Sequence, residues 1–230
     1  MSSSNASSVE FFNDIVSDYD SLILKHVPVY ADILWSMFYY LPQDFKPKAI
    51  LELGCGTGNL TKAIRKVFPS SMILAVDAAK EMLEMAKEKI KDSNIEFVES
   101  TFQNLNFPKE SFDLVMSNIA IHHLTDEEKK RLLQNLFKWQ KPGSFFVYSD
   151  GIRNDNNERH KLDLKYWDEL SLKNGVSEED LQKIHEHWAS SDFYPKTSDV
   201  ITWLKEAGFT NIDIVYKYCI WGVIHSQKPY

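Results

Sequence analysis

The chain has 230 residues, 43% of them hydrophobic and 26% charged, with a formal net charge of −7; this is a globular composition, long enough for one domain with room for an insertion. The acidic balance, with a pI near 5.5, opposes a broad phosphate-neutralising surface, so small substrates are favoured over nucleic acid. Two cysteines, Cys55 and Cys219, exclude a disulfide framework and a four-thiolate zinc site, and point to a reducing, cytoplasmic setting.

Residues 1–8 are polar, lack the apolar core of a secretory signal and read as a disordered tail. No apolar stretch approaches the roughly 20 residues of a membrane helix, so no membrane partner is expected. Residues 9–230 read as a single domain. Its first part, 9–47, is a helical arm: apolar residues recur at helical intervals from Phe12 to Tyr19 and from Ile33 to Phe38, and Pro28 splits the pattern into two helices. In 48–150, β-rich runs at 48–53, 72–77, 95–99, 112–117 and 144–149 alternate with helical patterns at 60–67, 80–91 and 127–139. Strands spaced by helices require right-handed parallel crossovers, hence a doubly wound α/β sheet.

Residues 151–196 break that rhythm with two helical patterns, 158–172 and 177–189, separated by Asn174-Gly175. The second opens on Ser177-Glu178-Glu179-Asp180, a capping box with Asp in place of Glu. This is expected to be a helical insertion, or lid, after strand 5. In 197–230 a last helix ends at Gly208 and two strands close the sheet.

The chemistry is concentrated after the first strand. Gly54, Gly56 and Gly58 follow Ala49-Ile50-Leu51-Glu52-Leu53 at alternate positions before a helix opens at Asn59. Glycine admits positive φ and leaves no Cβ between backbone and ligand, so a ligand can rest on the turn at the carboxyl end of the sheet. Nineteen residues beyond Gly58, the second strand ends in Asp77, a carboxylate placed to accept bonds from two ribose hydroxyls. The dinucleotide fingerprint fails because Asn59 stands where its third glycine belongs, and no Gly-Lys-Ser/Thr loop supports a nucleoside triphosphate.

The run Leu51-Glu52-Leu53-Gly54-Cys55-Gly56-Thr57-Gly58, joined to Asp77, resembles the class I S-adenosylmethionine-dependent methyltransferases, over a stretch extending from about Tyr19 to the C-terminus. The resemblance implies a Rossmann-like, mostly parallel seven-stranded sheet with an antiparallel C-terminal strand. It also implies S-adenosyl-L-methionine as cofactor, S-adenosyl-L-homocysteine as product, and cofactor contacts from Glu52, Gly54, Cys55, Gly56, Gly58, Asp77 and Ala78. Met82 falls where such enzymes set an apolar residue on adenine. Thr101 stands where the family often has an acid, with Phe102 beside it. Asn118 and Ile119, in the block Phe112 to Leu124, border the reactive methyl in the family, and Tyr19 matches a tyrosine that folds over the cofactor.

Methyl transfer from a sulfonium needs alignment more than proton chemistry. His122 and His123 are the candidate catalytic side chains, since neutral imidazole accepts a proton near pH 7. His123, Arg153, Trp167, Trp188 and Tyr194 are candidate substrate contacts. His185 and His187, two apart on a helix, face different sides, and no metal is expected. The leading reading is methylation of a small molecule at oxygen or nitrogen by a monomer or homodimer. A tRNA-modifying enzyme and a cofactor-binding regulatory subunit without turnover are the alternatives.

Overall fold

The computed structural model describes residues 19–230. The expected tail at 1–8 and the first part of the helical arm lie outside these residues. Two helices, α1 (Tyr19–His26) and α2 (Tyr30–Tyr39), flank Pro28 as its missing N–H requires. Then strands β1 (Ala49–Leu53), β2 (Met72–Asp77), β3 (Ile95–Glu99), β4 (Phe112–Asn118) and β5 (Gln140–Gly151) alternate with α3 (Asn59–Val67), α4 (Lys80–Lys89) and α5 (Asp126–Trp139). The insertion contributes α6 (Asn157–Lys173) and α7 (Glu178–Ser191), and the chain closes with α8 (Thr197–Ala207), β6 (Thr210–Tyr218) and β7 (Trp221–Gln227).

The seven strands form one sheet in the order β3-β2-β1-β4-β5-β7-β6. β1 to β5 are parallel, and β7 runs antiparallel to both β5 and β6. Strand order reverses between β1 and β4, and open α/β sheets bind ligands at that crevice, outside the carboxyl ends of the strands. Alternation along the strands divides the core into two layers. Ile50, Ile73, Ala75, Leu114 and Met116 face α1, α2, α3, α4 and the insertion. Leu51, Val76, Val115, Phe146 and Tyr148 face α5 and α8.

Local signals account for most element ends. Thr125 and Glu128 make a full capping box at α5, and Gly208, at φ 107, ends α8. At α7 the cap is partial: the Ser177 hydroxyl accepts from Asp180 N and donates to the Asp180 carboxylate, because aspartate is one methylene too short to reach back to the Ser177 amide. β5 starts at Gln140, four residues before the expected 144, because Gln140 already pairs with Phe112, ahead of an irregularity in which the extra residues lie in β5.

Candidate functional site

The glycine loop docks on β2 through Gly54 N and Cys55 N, which both donate to Val76 O at 2.8 and 3.0 Å. Gly54, at φ +69, lies so close to the next crossover that a Cβ there would stand 2.2 Å from Ala120 Cβ. Gly58, at φ +88, caps α3 and is pressed against Ile90 and Ala86 of the α4 region. Gly56, at φ +51, opens on space: a Cβ there would meet no atom within 4 Å.

Asp77 ties the loop to the start of α4. Its Oδ2 accepts from Gly56 N at 2.7 Å and its Oδ1 from Ala79 N at 2.9 Å. A carboxylate oxygen has a second lone pair, so both oxygens can still receive a ligand hydroxyl. Burial pushes the Asp77 carboxyl up, against the pull of the Ala79 and Gly56 amides. Under the loop, Glu52 is fully buried, and among the described residues neither of its carboxylate oxygens has a hydrogen-bond partner. Burial, with the nearby Asp77, pushes Glu52 up to about 8 although Thr61 opposes the shift. Two buried acids below one glycine loop suit a ligand that brings positive charge.

These parts enclose a cleft with about 920 Å³ of space, open mouth included. Of the residues marked by sequence, Tyr19, Gly54, Cys55, Gly56, Asp77, Ala78, Met82, Thr101, Phe102, Asn118 and Ile119 line it, and so does His123. Glu52 and Gly58 stand behind it. Tyr30, Thr57, Asn59, Leu60, Ala79, Gln103, Ala120 and Leu124 complete the lining. The signal for Tyr30 was hidden in an ordinary amphipathic pattern. Its hydroxyl accepts from Asn118 Nδ2 at 3.0 Å, and Asn118 Oδ1 accepts in turn from Ser149.

Asp20 carries weight that its sequence position did not reveal. Its carboxylate accepts from Thr57 Oγ1 at 2.5 Å, from Asn59 Nδ2 at 3.0 Å and from Lys89. These hydrogen bonds hold its pKa below the usual range even though burial opposes them. Helix α1 is thereby fastened over the loop and α4.

A second cleft adjoins the first and shares Tyr19, Ile119 and His123 with it. Its walls come from α1 (Leu22, Ile23, His26), the short turn at Ile121–His123, α7 and the residues after it (Ile184, His187, Trp188, Asp192, Tyr194) and Trp221 of β7. Ile119 holds φ +55 between the clefts, an unusual conformation for a β-branched residue and one of the strained positions that gather at functional sites. Trp188 stacks at 4.3 Å on Trp167, but Trp167 itself is fully buried behind the wall, with its Nε1 donating to His26 O at 2.8 Å. Arg153 lines neither cleft: its backbone bridges to Lys196 and its Nε is buried without a partner.

The two histidines differ. His122 is buried, with Nδ1 2.6 Å from Asp150 Oδ1 and its amide donating to Asp150 Oδ2 at 2.9 Å. Burial works against its charged form, yet Asp150 and Asp192 together raise its pKa. His123 faces the clefts, with Nδ1 2.9 Å from Asp192 Oδ1, and burial and His122 lower its pKa. The insertion is locked to this turn where it rejoins the core: Phe193 N donates to His122 O at 2.8 Å, and the buried Lys129 donates to both Leu124 O and Phe193 O.

A family model described as a methyltransferase domain matches residues 50–143, the span that builds the loop, Asp77 and the Asn118 turn. This match, with the S-adenosylmethionine enzymes among the relatives, supports a class I S-adenosylmethionine-dependent methyltransferase. It is 23% identical over 213 residues to the carboxy-S-adenosyl-L-methionine synthase of Trichodesmium erythraeum, covering 90% of this chain and 83% of that one. It is 30% identical over 144 residues to the malonyl-[acyl-carrier protein] O-methyltransferase of Priestia megaterium, covering 60% of this chain but only 48% of that enzyme. Among solved structures, a Haloferax volcanii methyltransferase in complex with the activator Trm112 superposes with a TM-score of 0.68 at 16% identity, covering 95% of this chain and 98% of that one. A methyltransferase of this family takes S-adenosylmethionine as its cofactor, and the open face of Gly56 and the two buried acids, Glu52 and Asp77, fit that cationic nucleoside. No helix among the described residues is long and apolar enough to cross a membrane.

Proposed function

We propose that the chain transfers the methyl group of S-adenosylmethionine to an oxygen or nitrogen of a small molecule held in the second cleft. The carrying observation is that two clefts meet at Tyr19, Ile119 and His123, one built on the glycine loop and the other walled mainly by aromatic and aliphatic side chains. Bound S-adenosylmethionine supplies a methyl group on a sulfonium, transferable by in-line displacement. Asp77 is assigned to the ribose hydroxyls, Met82 and Phe102 to the adenine, and Glu52 to the positive end of the cofactor through the loop. Tyr19 closes over the cofactor and, with Ile119, keeps water from the junction. Alignment across such a junction contributes up to about 7–11 kcal/mol in favourable cases.

His123 is the side chain nearest to both ligands that can take a proton, and Asp192 orients its ring. Trp188 and Tyr194 hold the acceptor's apolar body. Among the described lining residues of the second cleft there is no lysine or arginine, so none of these offers a guanidinium or ammonium to an acceptor carboxylate or phosphate. This also weighs against RNA as the acceptor. Both cysteines are free thiols, in keeping with a cytoplasmic enzyme.

The test is formation of S-adenosylhomocysteine by purified protein presented with fractionated small metabolites and, separately, with total tRNA. Turnover with a small-metabolite fraction supports the reading. Turnover only with tRNA, or tight cofactor binding with no turnover on any fraction, overturns it.

A further inference from the structure

At the inner wall of the second cleft three imidazoles surround one carboxylate. Asp192 Oδ1 lies 2.9 Å from His123 Nδ1 and 3.7 Å from His187 Nε2, and Asp192 Oδ2 lies 3.7 Å from His122 Nε2. Ligands bound about 2.1 Å from a tetrahedral ion stand about 3.4 Å from one another, and Asp192 lies within about half an ångström of that separation from both His123 and His122. One donor atom from each of His122, His123 and Asp192 lies within 4.8 Å of the other two. We propose that His122, His123 and Asp192 bind one divalent transition-metal ion of the zinc type beside the junction of the two clefts, with His187 flanking the carboxylate.

The surrounding groups fit that assignment. His122 Nδ1 is taken by Asp150 at 2.6 Å, which turns Nε2 toward the site, and a carboxylate behind a histidine is the usual outer support of a metal ligand. Asp150 is itself fixed by the amides of His122 and Gly151. The Tyr194 hydroxyl donates to Asp192 Oδ2 at 3.1 Å and steadies the central carboxylate. Burial would raise Asp192, but His122, His123 and His187 hold it down at about 2, and burial lowers both His123 and His187. His123 needs its ring proton on Nε2 for Nδ1 to ligate, so the ion takes the place of the proton-accepting role assigned to His123 above.

Sequence reasoning set a metal aside because His185 and His187 face different sides of one helix. They do: His185 pairs with Asp168 at 2.9 Å. The partners of His187 come instead from the turn after β4 and from the residue that follows α7. Such an ion would fasten the insertion to the core. Resting on the acceptor reading above, it would also supply the positive charge that the cleft lining lacks, gripping an acceptor oxygen beside the methyl group.

The experiment titrates chelator-stripped full-length protein with Co²⁺ and then Zn²⁺, by calorimetry and visible absorption, without acceptor. One Co²⁺ per chain is expected, bound at micromolar strength or tighter, with bands of a low-coordinate site that Zn²⁺ displaces. His123→Gln and Asp192→Asn weaken binding by at least about tenfold, while His185→Gln retains it. If Asp192→Asn does not fold, the wild-type stoichiometry and His123→Gln still decide. Failure of the wild type to bind one ion, or equal binding by His123→Gln, overturns the proposal. S-adenosylhomocysteine titrated into the same samples reports on the cofactor cleft alone, so the two readings fail separately.

Discussion

Asp77 Oδ2 accepts the amide of Gly56 at 2.7 Å, so the acidic end of β2 and the middle of the glycine loop are one rigid piece. A ligand on the loop and a ligand on the carboxylate are then the same ligand.

Gly54 and Gly56 separate folding from binding. Alanine at Gly54 would drive its Cβ to 2.2 Å from Ala120 Cβ in a left-handed backbone, a combined cost of about 3 kcal/mol that lowers Tm by roughly 6–12 °C. Alanine at Gly56 meets no protein atom and carries only the backbone strain, about 1–2 kcal/mol. Thermal melts paired with S-adenosylhomocysteine titration should show Gly54→Ala losing stability, and Gly56→Ala losing mainly affinity, by tenfold or more.

Asp20 holds Thr57 and Asn59 in place. Its ion pair with Lys89 is partly exposed and contributes little by itself. Asp20→Ala should therefore weaken cofactor binding several-fold, whereas Lys89→Met should leave it within about twofold. Equal losses in the two variants would shift the weight to the ion pair.

Glu52 sets a pH dependence. Its folded pKa of about 8 lies above the ordinary 4.5, so between those values the native state binds the extra proton. The stability it contributes is complete below about pH 4.5 and declines by up to about 1.4 kcal/mol per pH unit as pH rises toward 8. Urea unfolding of the cofactor-free protein from pH 5 to 8 should show this decline, and Glu52→Gln should flatten it. The same slope in both proteins would rule out Glu52 as its source.

Trp188 lines the second cleft and Arg153 does not. Once an acceptor is in hand, Trp188→Ala should raise its KM about tenfold or more, while Arg153→Ala should change kcat/KM by less than about twofold. A large effect from Arg153 would place the acceptor elsewhere.

The cofactor side was legible because its signals are local. A glycine triplet after a strand, and an acid at the end of the next strand, are dictated by turn geometry and strand period. The acceptor side was not, because its contacts join distant segments. Asp192 meets His123 across 69 residues, and nothing in the sequence around Asp192 marks it. Asp20 was passed over beside Tyr19 for the same reason: its partners Thr57, Asn59 and Lys89 lie 37 to 69 residues away. Arg153 and Trp167 drew notice by residue type, yet packing buries Trp167 behind Trp188, and the backbone of Arg153 bridges to Lys196 away from both clefts.

The most direct test of the cofactor cleft is calorimetric titration of S-adenosylhomocysteine into the wild type and Asp77→Ala. One-to-one binding by the wild type, weakened at least about tenfold in the variant, is the predicted result. No binding by the wild type, or undiminished affinity in Asp77→Ala, would contradict the account.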